Sequence, residues 1–225
     1  MRPIERFSPV SGRGKALLYL MSRANWEDHF TRRAKDEKWL ARSVYKLEEI
    51  DRKYGLIHKG QRVLDLGCYP GSWSQYCTRR VGPQGEVVGV DLKRPDRLSA
   101  PNFKFLQADI LHLDADQLKR EVSPRHLVIS DLAPQTSGIH VVDTSRSMEL
   151  ARKALVIAFV LLQKGGHFLC KVFEGEDIQE LRGEISRHFE AARTVRPAAV
   201  RKASREVYLL GLRFAGWNQL RRREG

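Results

Sequence analysis

Long apolar runs are missing from this chain of 225 residues, and cysteine is scarce. No stretch approaches the roughly 20 apolar residues that a spanning helix needs, so no membrane span is expected. The three cysteines, Cys68, Cys77 and Cys170, are odd in number and show no C-x-x-C spacing. That excludes a disulfide framework and a zinc site as first readings; no metal is expected, and a reducing cytoplasm is. Residues Ala16 to Met21 follow basic residues but are shorter than a secretory core and lack a small-residue cleavage site. They are expected to pack onto the domain, with an arginine-rich transit segment as the lesser alternative. There is no G-x-G-x-x-G, which disfavours a nicotinamide dehydrogenase, and no internal repeat or low-complexity tract. Acidic side chains are outnumbered, 27 Asp+Glu against 40 Lys+Arg, for a formal charge of +13. A chain this basic is expected to meet a polyanion.

What is present is organised around Val63 to Trp73. The apolar run Val63, Leu64, Leu66 ends in Gly67 and Gly71, and Ser72-Trp73-Ser74-Gln75 begins a helical pattern. A strand, a glycine turn and a helix are predicted, with a ligand at the strand's carboxyl end, where glycines let it approach the backbone. Pro70 removes one N–H donor that a pyrophosphate would use, so a nucleotide without phosphates fits better. Asp91 closes a second apolar run 26 residues after Asp65, placed to accept both ribose hydroxyls of an adenosine. Two further runs, Phe103 to Leu106 and Leu127 to Ile129, lead to Asp109 and Asp131. Aspartates also follow strands simply because they suit turns and caps; four of them beside one glycine loop favour a shared site.

Three regions follow from composition: a basic arm with a short hydrophobic element over 1–38, a domain over 39–214 and a basic tail over 215–225. The first 36 or so residues, with Pro3, Pro9, Gly12 and Gly14, are expected to be mobile. A helix is predicted from Trp39 to Tyr54, with Lys46 at the flank of its buried stripe, where it reaches toward a cleft or snorkels. Leu92 to Arg97 reads as a basic loop, and Asp131 to Gly138 as a second long loop at a strand end. Asp143-Thr144-Ser145 is the predicted cap of a helix stopped by Lys164-Gly165-Gly166. His167 to Phe173 reads as a central strand with Lys171 inside it. Desolvation there favours a neutral amine, nearby carboxylates a charged one, so Lys171 is a candidate base or a structural ion pair. Glu174 to Phe189 is a predicted helix, 198–205 a basic loop, and Glu206 to Leu212 a last strand. Alternating strands and helices imply a single doubly wound α/β domain.

At this point five ordered blocks become recognisable: Arg42-Ser43-Val44-Tyr45-Lys46-Leu47; Asp65-Leu66-Gly67-x-x-Pro70-Gly71-x-Trp73-Ser74-Gln75; Ser130-Asp131-Leu132-Ala133-Pro134; Lys171-Val172-Phe173-Glu174-Gly175; and Ser204-Arg205-Glu206-Val207-Tyr208. From about Arg42 to Arg213 the chain resembles the FtsJ-type 2′-O-ribose methyltransferases of bacterial large-subunit ribosomal RNA. The resemblance implies a Rossmann-like domain with a mostly parallel seven-stranded sheet and S-adenosylmethionine as cofactor. It implies a catalytic tetrad at Lys46, Asp131, Lys171 and Glu206, and cofactor contacts at Gly67, Gly71, Trp73, Asp91, Asp109 and Asp131. Lys171 would be the base, Asp131 would orient it, Lys46 would hold the target nucleotide, and Glu206 would fix the lysines. The implied substrate is a uridine in ribosomal RNA, within the large subunit and with no obligate protein partner. Phosphates are expected to meet Arg32, Arg33, Lys35, Arg42, Lys93, Arg94, Arg201, Lys202 and Arg205. Where similar proteins carry small residues, this chain has Cys68-Tyr69 and Ser72, which are expected to alter the fit around the methionine moiety; Leu132 and Gln135 are milder departures.

Two rivals remain from the sequence: methylation of transfer RNA or of an RNA cap, and a catalytically silent RNA-binding factor in ribosome assembly. Extra cap-binding segments would mark the cap enzyme, and loss of the tetrad would mark the silent factor.

Overall fold

The computed structural model describes residues 29–216; the apolar element at 16–21 and the basic tail from 217 onward lie outside them. Seven strands form one sheet in the order β3-β2-β1-β4-β5-β7-β6. They are β1 (Arg62–Leu66), β2 (Glu86–Asp91), β3 (Phe103–Gln107), β4 (Arg125–Ser130), β5 (Leu162–Phe173), β6 (Phe189–Val195) and β7 (Glu206–Phe214). The strands from β1 to β5 pair in parallel, whereas β7 runs antiparallel to both β5 and β6. Among the described residues six helices accompany them: α1 (29–36), then α2 (Val44–Tyr54), α3 (Ser72–Val81), α4 (Ala115–Val122), α5 (His140–Leu161) and α6 (Ile178–His188). Among the described residues no helix is long and apolar enough to cross a membrane.

The central strands explain the layering. In β1, Val63 through Leu66 are buried, and in β4 Leu127 through Ser130 are too, so neither face can meet water and helices cover both. One apolar cluster joins α4, α5 and α6 to one face through Leu66, Leu155, Phe168 and Phe189. The other joins α2 and α3 to the opposite face through Leu47, Ile50, Trp73, Cys77 and Tyr208. The chain runs outward from β1 to β3 and then returns to lay β4 on β1's other side. Strand order therefore reverses between β1 and β4, and a crevice opens where their carboxyl ends part.

Several expected boundaries shift. Residues 29–36, expected in a mobile arm, form α1 with Ala34 buried in the core. The helix expected from Trp39 begins at Val44, because Gln75 of α3 takes the backbone on either side of Trp39: its amide oxygen accepts from Leu40 N–H (3.0 Å) and its amide nitrogen donates to Lys38 O (3.0 Å). Helix α5 starts at His140 rather than after Asp143, whose carboxylate instead accepts from the N–H groups of Ser137 (2.7 Å) and Gly138 (3.3 Å). Lys164-Gly165-Gly166 lie inside β5, which starts at Leu162 directly after the helix. The predicted helix from Glu174 is shorter, Ile178–His188: at its start the Glu174 N–H donates to Arg205 O at 2.8 Å, and at its end Phe189 opens β6 with its ring pressed on Gly211. Neither α4 nor β6 was anticipated; α4 is eight residues long and β6 is an edge strand with a mixed burial pattern.

Two buried polar arrangements hold the sheet. At the amino end, Arg125 is 1% exposed and its guanidinium lies 2.8 Å from Glu86, which also meets Arg62 (3.5 Å) and Lys104 (2.6 Å). In β1, Asp65 is fully buried and accepts from the Ser74 hydroxyl at 2.6 Å. Burial pushes its carboxyl from the ordinary value near 3.8 up to about 7, with Ser74 opposing and the charges of Asp131 and Asp91 adding to the rise.

Removing Glu86 strands the Arg125 charge, so Glu86→Ala should destabilise by roughly 3–5 kcal/mol. Lys104→Ala, at the exposed partner, should cost less than about 1 kcal/mol; urea unfolding compares the two, and equal costs would contradict the role of Arg125. Because the folded state holds the Asp65 proton more tightly than the unfolded chain, stability should fall as pH rises from about 4 to about 7, by on the order of 4 kcal/mol. Asp65→Asn keeps an acceptor for Ser74 and removes that penalty. Its melting temperature relative to the parent should climb between pH 5 and pH 8, and a constant offset would show that Asp65 is already ionised.

Candidate active site

Strand direction and register assemble the site. Because β7 is antiparallel, its first residue, Glu206, lies at the edge where the parallel strands β1, β4 and β5 end. Lys171 of β5 is paired with Tyr208 of β7, and Phe173 with Glu206. Residues two apart share a face of a strand, so Glu206 and Tyr208 project to the same side, beside the cross-strand Lys171. Asp131 follows the last residue of β4, and Lys46 comes from the first turn of α2.

The four side chains expected as a tetrad meet there. Lys171 is 7% exposed; its Nζ donates to Asp131 O at 2.6 Å and lies 3.0 Å from Asp131 Oδ1. Lys46 Nζ lies 2.6 Å from Glu206 Oε1. Tyr208 joins the two pairs, with its hydroxyl 2.9 Å from Asp131 Oδ1 and 2.6 Å from Glu206 Oε1. Burial and the two carboxylates raise Tyr208 well above the ordinary tyrosine value, so it stays protonated, with a single hydrogen between two acceptors. Burial pushes the Asp131 carboxyl up, but Lys171 and Lys46 together outweigh that and hold it below its ordinary value. Tyr208 was not singled out from the sequence; its spacing of two from Glu206 in a strand was the available signal.

A cavity of about 660 Å³ opens on one side of this cluster. It is lined by Gly67, Tyr69, Asp91 and Asp109 from three strand-end loops, and by Asp131 to Gln135 with Arg146 of α5. Gly67 has φ +79°, and a Cβ there would stand 2.6 Å from Leu132, so only glycine lets the β1 loop pass the β4 loop this closely. Asp91 accepts from the N–H groups of Tyr69 (2.9 Å) and Lys93 (3.0 Å), fixing the loops that flank the cavity. His112 and the Leu111 N–H hold Asp109 below the usual carboxylate range. Asp65 Oδ1, close to Asp131 and Asp91, is buried and accepts no hydrogen bond. Acceptors at the ends of β2 and β3 and a glycine cradle, all in the cavity wall, fit a nucleoside-bearing cofactor.

Other expected cofactor residues stand further back. Gly71 is not part of the cavity wall; a Cβ there would meet Leu40 at 2.9 Å and Pro95 at 3.0 Å. Trp73 is 3% exposed, donates to Ser43 O at 2.9 Å and packs 5.8 Å from the Tyr208 ring, so it supports the cluster from behind. Of the unusual residues in this loop, Cys68 and Ser72 turn inward. Cys68 is buried beside Gly89, and Ser72 shares a hydrogen bond of 2.8 Å with Ser43. Only Tyr69 faces the cavity.

On the other side of the cluster a second cavity, of about 430 Å³, is lined by Arg42, Lys46, Arg201, Ser204 and Glu206. The basic residues expected to meet phosphates therefore divide. Arg42 and Arg201 belong to this cavity, and Lys35, Arg42 and the unanticipated Arg97 line an adjoining groove. Arg32 and Lys202 are exposed. Lys93 and Arg94 instead stand over the rings of Tyr69 (5.8 Å), in the wall of the larger cavity, and Phe105 (5.7 Å). Arg33 is engaged by Glu37 at 2.7 Å and stacks 4.3 Å over Tyr45. Arg205 donates to Glu174 O and to the Thr144 hydroxyl (3.2 Å), making it a strut between β7, the β5 loop and α5. The chemistry of those two guanidiniums is thus directed inward. Among the described residues no group of His, Cys, Asp and Glu side chains could hold a metal ion.

Comparison with known proteins agrees with this geometry. The model of the FtsJ-like methyltransferases matches residues 39–214. The chain is 46% identical to ribosomal RNA large subunit methyltransferase E of Bdellovibrio bacteriovorus over 191 residues, 84% of this chain and 97% of that protein. It is 44% identical to the protein of the same name in Desulfosudis oleivorans over 184 residues, 82% of this chain and 89% of that one. A solved Plasmodium falciparum structure described as a ribosomal RNA methyltransferase superposes with a TM-score of 0.70 at 28% identity, covering 79% of this chain and all of that one. With these four side chains gathered at the carboxyl edge of the parallel strands and a family model that spans residues 39–214, the chain belongs to the FtsJ-like methyltransferase family.

Proposed function

We propose that this protein moves a methyl group from S-adenosylmethionine to a ribose 2′-hydroxyl of large-subunit ribosomal RNA, with Lys171 accepting the hydroxyl proton. The observation that carries this is the position of the Lys46, Asp131, Lys171 and Glu206 cluster between two cavities. Asp131 borders the cavity suited to a nucleoside cofactor, and Lys46 and Glu206 border the basic one. When bound, the cofactor supplies a methyl carbon activated by a sulfonium.

The protein's own part is alignment and proton transfer. Asp91 would accept from the ribose hydroxyls and Asp109 from the amino group of an adenosine; both line the larger cavity. Arg42 and Arg201 give the second cavity the positive charge that an RNA backbone needs. Lys46, paired with Glu206 by one of its N–H groups, keeps others for a phosphate or a sugar oxygen. Lys171 must be neutral to take a proton, and the Asp131 carboxylate is already in place to stabilise the ammonium that results. Proton acceptance would leave Lys171 with the contacts it has in the structure, to Asp131 O and Oδ1. The names of the relatives, which specify large-subunit ribosomal RNA, support that substrate over transfer RNA.

Incubation with labelled S-adenosylmethionine and separated large-subunit particles, free ribosomal RNA and transfer RNA should label the ribosomal RNA. The label should map to a ribose whose 3′ phosphodiester resists alkali. Lys171→Ala should lower single-turnover transfer by about 10²- to 10⁴-fold while leaving S-adenosylhomocysteine affinity intact. Transfer at the parent rate would remove Lys171 from the chemistry, and label in no pool despite bound cofactor would favour a silent RNA-binding role. Asp91→Ala should weaken S-adenosylhomocysteine binding in calorimetry, both by losing an acceptor and by loosening the loops at Tyr69 and Lys93; unchanged affinity would contradict that placement.

A further inference from the structure

Tyr69 is the one side chain in its loop that the fold leaves unexplained. It is 53% exposed although large and aromatic, and it forms part of the wall of the 660 Å³ cavity. Its neighbour Cys68 is buried against Gly89, so the loop presents a single side chain outward. The Tyr69 backbone is fixed, its N–H donating to Asp91 Oδ2 at 2.9 Å, which ties the ring's base to the carboxylate placed for a ribose.

The surroundings make the exposure selective. Six large hydrophobic side chains are exposed among the described residues: Tyr69, Leu92, Leu111, Ile139, Val141 and Val156. Three of them, Tyr69, Leu92 (61%) and Leu111 (38%), belong to the wall of this one cavity, each from a different strand-end loop. Apolar surface gathered around a concavity marks a place where a ligand completes the burial. A flat aromatic ring offers that surface to a nucleoside with little loss of rotamer freedom. The Lys93 ammonium, 5.8 Å from the ring centroid, adds a cation–π contact to the same side chain.

We propose that Tyr69 is an aromatic lid on the cofactor: its ring closes over the nucleoside half, and Leu92 and Leu111 complete an apolar collar around it. This rests on the assignment of the cavity to S-adenosylmethionine. It assigns the lid to the ring and not to the hydroxyl, and makes slow release of the cofactor its main effect. Tyr69 is a binding residue in this account and takes no part in proton transfer.

The test is calorimetry and displacement kinetics on the full chain with S-adenosylhomocysteine and with adenosine, for the parent, Tyr69→Ala and Tyr69→Phe. Tyr69→Ala should bind S-adenosylhomocysteine about tenfold more weakly, the scale of one lost base-stacking contact, mostly through faster dissociation. Adenosine should lose a similar factor, because the lid covers the part the two ligands share. Tyr69→Phe should stay within about twofold of the parent if stacking and not hydrogen bonding is what the ring supplies. Ligand-free melting temperatures should be equal, since an exposed ring contributes little to folding. Equal or tighter binding by Tyr69→Ala, with the parent binding normally, would show the ring to be neutral or an obstruction and would overturn the lid alone. A parent that binds neither ligand would overturn the cofactor assignment and the lid with it.

Discussion

The structure depends on the pairing of two lysines with two carboxylates around one tyrosine hydroxyl at the edge of the sheet. Charges this close to the interior are stable only when each has its partner, and breaking one pair leaves the other charge stranded. Strand register makes the pairing possible. Lys171 sits opposite Tyr208, and Glu206 precedes Tyr208 by two on the same face. A slip of one residue between β5 and β7 would leave Lys171 on one face and carry Glu206 and Tyr208 together to the other. The antiparallel course of β7 is equally necessary, since a parallel strand would carry Glu206 to the far edge of the sheet.

From that cluster the division of labour follows. On one side, strand ends with aspartates and a glycine turn surround a cavity suited to a nucleoside cofactor. On the other, Arg42 and Arg201 give a basic recess suited to a polyanion. Asp131 and Glu206, linked through Tyr208, stand one at each cavity, so the two ligands would meet over the lysines. Ser74 and Asp65, and behind them Trp73 with Ser43, brace the β1 loop against α2 and α3, which is how Lys46 comes to its place from a helix more than a hundred residues before Lys171 in the chain.

Much of this was legible because the strands of a doubly wound sheet are apolar and end on polar residues at their functional edge. Asp91, Asp109, Asp131, Lys171 and Glu206 all stand at or near strand ends that hydropathy alone locates. What sequence did not yield was partnership. Arg33 and Arg205 look like phosphate ligands by charge, yet Glu37, Glu174 and Thr144 hold them. Lys164-Gly165-Gly166 looks like a helix stop, yet α5 ends earlier and passes straight into β5. Tyr208 reads as one more apolar strand residue until the register sets its hydroxyl between two carboxylates. Such features depend on contacts between segments far apart in the chain, and no local pattern encodes them.

The central claim is that Lys171 must offer a neutral nitrogen to the reacting hydroxyl, and Lys171→Arg tests it most directly. Arginine keeps the positive charge and the donors to Asp131 but does not lose its proton in a protein. Single-turnover methyl transfer followed across pH 6 to 10 should therefore be slower than the parent by at least about a hundredfold, with no recovery at high pH, while S-adenosylhomocysteine still binds. Transfer by Lys171→Arg near the parent rate, at any pH in that range, would contradict the account.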